Sequence, residues 1–295
     1  MKGYMKGLAT STNIISFRRS GGHAPMISFM DVLSAHGWKN LDLNFCEMMN
    51  PESTLRTEES SVYLERLMHL REKHGFVYMQ SHAPYVRDRF AMKDDEGRES
   101  DVLMAKAIRI SASLGIPHVV VHPAPLPSDR PRREIISRNV AWLSPFVELA
   151  SGLGVALALE NLDAENEIHD ADELCTLADA FGKAPVGICY DFGHANMHGK
   201  RDHAAFLRTV GKRLTATHVA DNNGTEDEHL LPFHGTIAWE ECLPILSGIG
   251  YDGYLTYEIM FFSRHLPEQT KGAFLDYALA TGNHLMELAA KPTFV

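Results

Sequence analysis

The sequence predicts a single (β/α)8 barrel of the α/β class, one domain over residues 1–295. Three observations predict it. Short β-prone apolar runs alternate with longer amphipathic segments along the chain. Eight such pairs fill the 295 residues, roughly 30 residues each, the length of a βα repeat. From the third run onward, the apolar runs end in His, Glu or Asp.

In chain order, residues 7–15 form a weak first strand. A helix over 27–36 follows, ended by Gly37, and a second strand lies at 38–45. Apolar positions Val62, Leu64, Leu67, Met68 and Leu70 give residues 59–74 a near-helical repeat, with Gly75 as the stop. The third strand is 76–83, then a helix over 99–114 closed by Gly115. The fourth strand is 117–122, then a long helix over 133–153 closed by Gly154. The fifth is 155–161, then a helix over 170–181 closed by Gly182. The sixth runs through Val186 to His194, with a helix over 202–212. The seventh is 214–221, followed by a long polar loop to Gly235 and a helix over 239–246. The eighth is 253–260, and a helix over 268–288 ends the pattern. No low-complexity segment or interdomain linker interrupts it.

Composition narrows the function classes. The formal net charge is −10 and no Lys/Arg block is long, so wholesale binding to nucleic acid or an anionic membrane is not favoured. The four cysteines lack CxxC spacing, which argues against a disulfide scaffold or a cysteine zinc site. No signal-peptide pattern and no run of about 18 apolar residues is present. The expectation is a cytoplasmic protein.

In a barrel of this type the chemistry sits at the carboxyl ends of the strands. Those ends carry His82, His122, Glu160, Asp191, His218 and Glu258, one from each of six consecutive strands. His194 follows Asp191 by three residues. Asp227 and His229 lie two apart in the loop after strand seven, a spacing that puts both on one side of an extended segment. Strand parity places Ala156 and Ala158 below Glu160, Gly187 and Cys189 below Asp191, and Leu214 and Ala216 below His218. So many carboxylates and imidazoles around one axis need a compensating cation. The ligand types suit zinc, manganese, iron or cobalt, and the carboxylate-rich subset suits magnesium. The competing explanation for His82 and His122 is substrate hydrogen bonding. For His194, Asp227 and His229 it is a surface-loop triad.

The segments around Ser81–Pro84, Val121–Ala124, Leu159–Asn161, Tyr190–His194, Thr217–Asp221, Asp227–His229, Phe233–Trp239 and Tyr257–Glu258 together resemble the xylose-isomerase-like barrel superfamily. That superfamily includes sugar isomerases, epimerases and endonuclease IV. The resemblance implies a single metal shared by Glu160, Asp191, His218 and Glu258, as in the sugar enzymes. It also implies two further sites of the endonuclease type, one at His82, His122 and the bridging Glu160, the other at His194, Asp227 and His229. One to three divalent ions per chain follow. The nuclease's Gly-x-His segment near strand one and its Asn-Asp-Ser-Lys stretch after the strand-seven histidine are absent, and Val219 to Gly224 differ. Nucleic acid is therefore not an expected partner.

The expected reaction is isomerisation or epimerisation of a small sugar or sugar phosphate, with Glu160 and Glu258 moving the proton and His194 orienting the substrate. The alternative is a multinuclear phosphodiesterase. Arg87, Arg130 and Arg132, in loops on the active face, are candidates for gripping a phosphate or carboxylate. The resemblance also suggests a homo-oligomer.

Overall fold

The computed structural model describes residues 5–15, 24–57, 59–85, 89–127, 129–163, 167–197 and 202–291. Eight parallel strands form one sheet: β1 (Gly7–Ser11), β2 (Asn40–Asn44), β3 (Val77–His82), β4 (His118–Val121), β5 (Ala156–Glu160), β6 (Val186–Asp191), β7 (Leu214–His218) and β8 (Tyr254–Tyr257). Their order is β7-β6-β5-β4-β3-β2-β1-β8. The ring closes where Val219, just past β7, pairs with Tyr257. Val219 N donates to Thr256 O (2.8 Å), and Glu258 N donates to Val219 O (3.1 Å). The sheet is thus a (β/α)8 barrel, and its last seam runs beside Glu258.

The surrounding helices are α1 (Met30–Ala35), α2 (Ser60–His74), α3 (Asp94–Ser113), α4 (Ile135–Gly152), α5 (Ala171–Asp179), α6 (Phe192–Asn196), α7 (His203–Val210), α8 (Trp239–Ile249) and α9 (Lys271–Ala289). Gly75 ends α2 at φ 66°, a left-handed turn that glycine takes without a Cβ clash. The helix expected from residue 99 starts at Asp94. Asp94, Asp95 and Glu96 fill its first turn, where carboxylates oppose the helix dipole. No described helix is long and apolar enough to cross a membrane.

Apolar packing falls into two bodies. A large continuous core lies between strands and helices and includes Leu43, Val119, Leu159, Ile188 and Leu246. Val120, Ala158, Cys189 and Ala216 form a separate small cluster inside the barrel. The expected parity holds for Ala158, Cys189 and Ala216. Leu214 departs from it: the β6–β7 register shifts between Ile188 and Cys189, pairing Ile188 with Leu214 but Cys189 with Ala216. The extra residue, Thr215, turns Leu214 out to the large core.

A candidate metal centre at the carboxyl end of the barrel

Each strand-end residue is delivered by its strand, and the pleat aims it at the axis. Glu160 ends β5 with no exposed surface. Its Oε1 lies 2.8 Å from His218 Nδ1. Its Oε2 lies 3.0 Å from His122 Nε2 and 3.3 Å from His82 Nε2. Glu258 Oε2 is 3.4 Å and Asp191 Oδ2 3.8 Å from the same His218 Nδ1. One donor atom each from Glu160, Asp191, His218 and Glu258 lies within 4.8 Å of the others, and all four residues are buried.

The strand expected through His194 stops at Asp191, and α6 begins there. Asp191 caps this helix: its Oδ1 accepts from His194 N at 2.6 Å. One carboxylate oxygen is committed to the cap. The other, Oδ2, has no hydrogen-bond partner among the described residues. The short helix also swings His194 back over the site, its Nδ1 2.9 Å from Asn161 O and 3.5 Å from Glu160 Oε1.

Asp227 and His229 meet at 2.8 Å between Oδ2 and Nε2. Their segment is not simply extended, because His229 takes φ 47°. His229 Nδ1 is held 2.6 Å from Glu258 O, and Asp227 Oδ2 lies 3.7 Å from His194 Nε2. A cavity of about 650 Å³ opens over these groups. It is lined by His82, His122, His194, Asp227, His229 and Glu258, with an apolar part from Met26, Met49, Met260 and Phe261.

The electrostatics are those of a cluster with too many charges for its volume. Burial opposes ionisation of Glu160, yet the His218 and His122 imidazoles outweigh it and hold the carboxyl well below its usual range. Burial pushes Asp191 up to about 7, against the pull of His194 and reinforced by Glu160. Burial works against a proton on His218, but Cys189, Glu160 and Glu258 carry it well above the ordinary imidazole value. For His229, Asp227 overcomes burial and raises it to about 9. Glu160 Oε2 and Asp191 Oδ2, both buried, lack a well-formed hydrogen bond among the described residues. Such oxygens cost several kcal/mol each unless a cation or donor meets them. Three carboxylates and an imidazole around one point fit a divalent cation on donor type and closeness.

The basic residues are placed differently. Arg87 lies outside the described residues. Arg130 is exposed, and Arg132 Nε donates to Glu173 Oε1 at 3.1 Å. Neither lines the cavity. Trp142 and Trp239 pack and donate to Asp101 and Asp221, at 2.9 Å each.

Four polar residues near the site were not among the sequence candidates. Cys46 Sγ sits 3.4 Å from His82 Nδ1. Asp42 and Gln80 lie under His218, fully buried. Their signal was present: Asp42 alternates with Leu41 and Leu43 along β2, and Gln80 precedes His82 by two. Asp221 holds the loop that carries Asp227 and His229. Its Oδ1 accepts from Asn222 N (2.9 Å) and Ile237 N (3.2 Å), and its Oδ2 from Phe233 N (3.0 Å) and Trp239 Nε1 (2.9 Å).

Known proteins share this frame. The chain is 31% identical over 201 residues to an uncharacterised protein of Methanocaldococcus jannaschii, covering 66% of this chain and 68% of that one. It is 29% identical to a probable endonuclease 4 of Heliobacterium modesticaldum, over 62% of this chain and 71% of the other. A solved D-tagatose 3-epimerase-like protein superposes with a TM-score of 0.71 at 25% identity, covering 95% of this chain and 99% of its own. A solved IolI protein with a bound zinc atom superposes at 0.72 and 17% identity, covering 98% and 99%. The match to several other curated relatives spans less of them, 58% and 59% of two. The family model of the xylose isomerase-like TIM barrel matches residues 30–273, and the chain belongs to that family.

Proposed function

We propose that the chain is a divalent-metal-dependent isomerase or epimerase of a small sugar or sugar derivative. The observation that carries this reading is the buried convergence of Glu160, Asp191, His218 and Glu258 donor atoms within 4.8 Å. The likeness to a D-tagatose 3-epimerase-like protein supports the substrate class.

Glu160, Asp191, His218 and Glu258 would hold the cation, which, when bound, polarises the substrate carbonyl and acidifies the neighbouring C–H. Glu160 on β5 and Glu258 after β8 approach the centre from different strands. One removes the proton at the reacting carbon and the other returns it, through an enediolate. His194, fixed through Nδ1 by the Asn161 carbonyl, presents Nε2 towards Asp227 and the cavity, where it orients a substrate hydroxyl. The apolar lining excludes water from the reacting carbon.

The test is proton exchange with solvent at the substrate carbon, on protein of known metal content. We expect exchange in the wild type and its loss, by roughly 10²–10⁴-fold, in Glu160→Gln and Glu258→Gln. Undiminished exchange in both variants would sink the assignment.

A second reading is supported by a specific observation. His82, His122, His194, Asp227 and His229 add two further donor groups beside the first. A centre of two or three ions suits phosphodiester hydrolysis, and the endonuclease relative fits it. Cleavage of an abasic-site duplex by fully metallated protein distinguishes the two; no cutting dismisses DNA repair.

A further inference from the structure

The interior of the barrel below the acidic tier has two unlike halves. On β4 to β7 it is apolar or small: Val120, Ala158, Cys189 and Ala216. On β8, β1, β2 and β3 it is polar. Ser11 and Asp42 are register partners, as are Asp42 and Gln80, so the three form one row across three strands. Thr256 stands on β8. All four residues are 0% exposed. Each has an atom with no hydrogen-bond partner among the described residues: Ser11 Oγ, Asp42 Oδ1, Gln80 Oε1 and Thr256 Oγ1. A floor needed only for packing would be apolar throughout, since each unpaired buried polar atom costs free energy and a buried carboxylate costs most.

The polar half meets His218. The ring's Nδ1 faces Glu160, Asp191 and Glu258. Its Nε2 faces the other way, 3.0 Å from the Gln80 carboxamide nitrogen and 3.7 Å from Asp42 Oδ2. Gln80 Nε2 is in turn 3.4 Å from Asp42 Oδ2. An imidazole that gives Nδ1 to a cation carries its proton on Nε2, and that N–H needs an acceptor. The Gln80 amide oxygen is in reach once the amide turns over, since its two ends are nearly isosteric. Asp42 Oδ2 stands just beyond hydrogen-bond distance at 3.7 Å, and a small movement of the ring would close the gap.

We propose that Asp42 and Gln80 are positioning residues that hold His218 from behind, fixing its Nε2–H tautomer so that the Nδ1 lone pair points at the cation. Both stand on the Nε2 side of the ring, opposite Glu160 on the Nδ1 side, so they act through His218. The inference rests on reading Glu160, Asp191, His218 and Glu258 as a metal centre. It assigns a use to a buried carboxylate that costs the protein stability when no cation is bound.

The experiment is a cobalt(II) titration of full-length, chelator-stripped protein, read by visible absorption, beside thermal melts of the metal-free form. The variants are Asp42→Asn, Asp42→Ala, Gln80→Leu and Gln80→Glu. We expect cobalt affinity to fall by roughly 10–100-fold in Asp42→Ala and Gln80→Leu, with an altered absorption band. Gln80→Glu restores an acceptor and keeps most of the affinity. The metal-free Asp42→Asn protein melts no lower than the wild type while binding cobalt more weakly. A merely structural role would lower stability and affinity together, and that outcome overturns the proposal. So does affinity within about threefold of wild type in both Asp42→Ala and Gln80→Leu. If the wild type itself takes up no cobalt, the metal reading fails as well, whereas tight wild-type binding with unaffected variants removes this assignment alone.

Discussion

The imidazoles of His82 and His122 meet edge to face, their Nε2 atoms 3.1 Å apart. Glu160 Oε2 stands 3.3 Å from the first and 3.0 Å from the second. Two ring nitrogens and a carboxylate oxygen converge on one point, a donor set whose types suit a divalent cation. Burial keeps His122 below the usual imidazole value, whereas Cys46 and Glu160 overcome burial to raise His82. We expect His82→Gln combined with His122→Gln to lose one equivalent of bound metal while keeping the equivalent at Glu160, Asp191, His218 and Glu258. Elemental analysis of protein purified without chelator measures it. Equal metal content in variant and wild type would assign the pair to substrate binding.

Asp221 gathers four N–H donors from residues spread over the loop that delivers Asp227 and His229. Asp221→Ala strands those donors in a buried setting and should destabilise the protein by about 2–4 kcal/mol. Urea unfolding checks this. The same variant should weaken any metal held by Asp227 and His229 more than metal held at Glu160.

Gly235 touches the same clamp. A Cβ there would sit 2.3 Å from Asp221 Oδ1 and 2.4 Å from Asn222 O. Gly235→Ala must therefore shift the loop, and we expect a lower melting temperature. Gly152→Ala, where a Cβ meets nothing within 4 Å and no positive φ adds strain, is the comparison that isolates the clash. A loss at Gly235 no larger than at Gly152 would refute the clamp.

His203 gives a pH dependence away from the site. Burial lowers its pKa to about 4, with Asp202 pulling weakly the other way, and Tyr190 Oη lies 2.7 Å from Nδ1. The folded value is below the unfolded one of about 6.5, so the unfolded chain binds the proton first. The resulting stability is present above pH 6.5 and is lost as pH falls towards 4, on the order of 2–3 kcal/mol. His203→Gln should show a smaller fall in melting temperature between pH 7 and pH 4.5 than the wild type. An equal fall would exclude His203 as a contributor.

The alternation of strands and helices was legible because a barrel strand must bury both faces and a surface helix only one. The strand-end row from His82 to Glu258 was legible for the same reason, since an ionisable residue closing an apolar run has few other uses. What the sequence hid came from local geometry. The shift at Thr215 turns Leu214 outward, and no periodicity announces a bulge. The left-handed backbone at His229 aims Asp227 and His229 at the cavity by a turn rather than an extended run. Asp191 reads as a strand residue, but its side chain starts a helix. Arg132 reads as an anion grip because its loop faces the right way, but Glu173 lies within its reach.

The separation of the two apolar bodies has a bearing on how this protein changes over generations. The outer body, packed between strands and helices, supplies most of the apolar burial that holds the fold. The inner one is four small residues under a highly charged tier. A replacement at the tier alters the chemistry of the mouth, yet leaves the outer packing untouched. Inheritance can therefore explore new chemistry at the mouth of the barrel while the framework stays above its folding threshold.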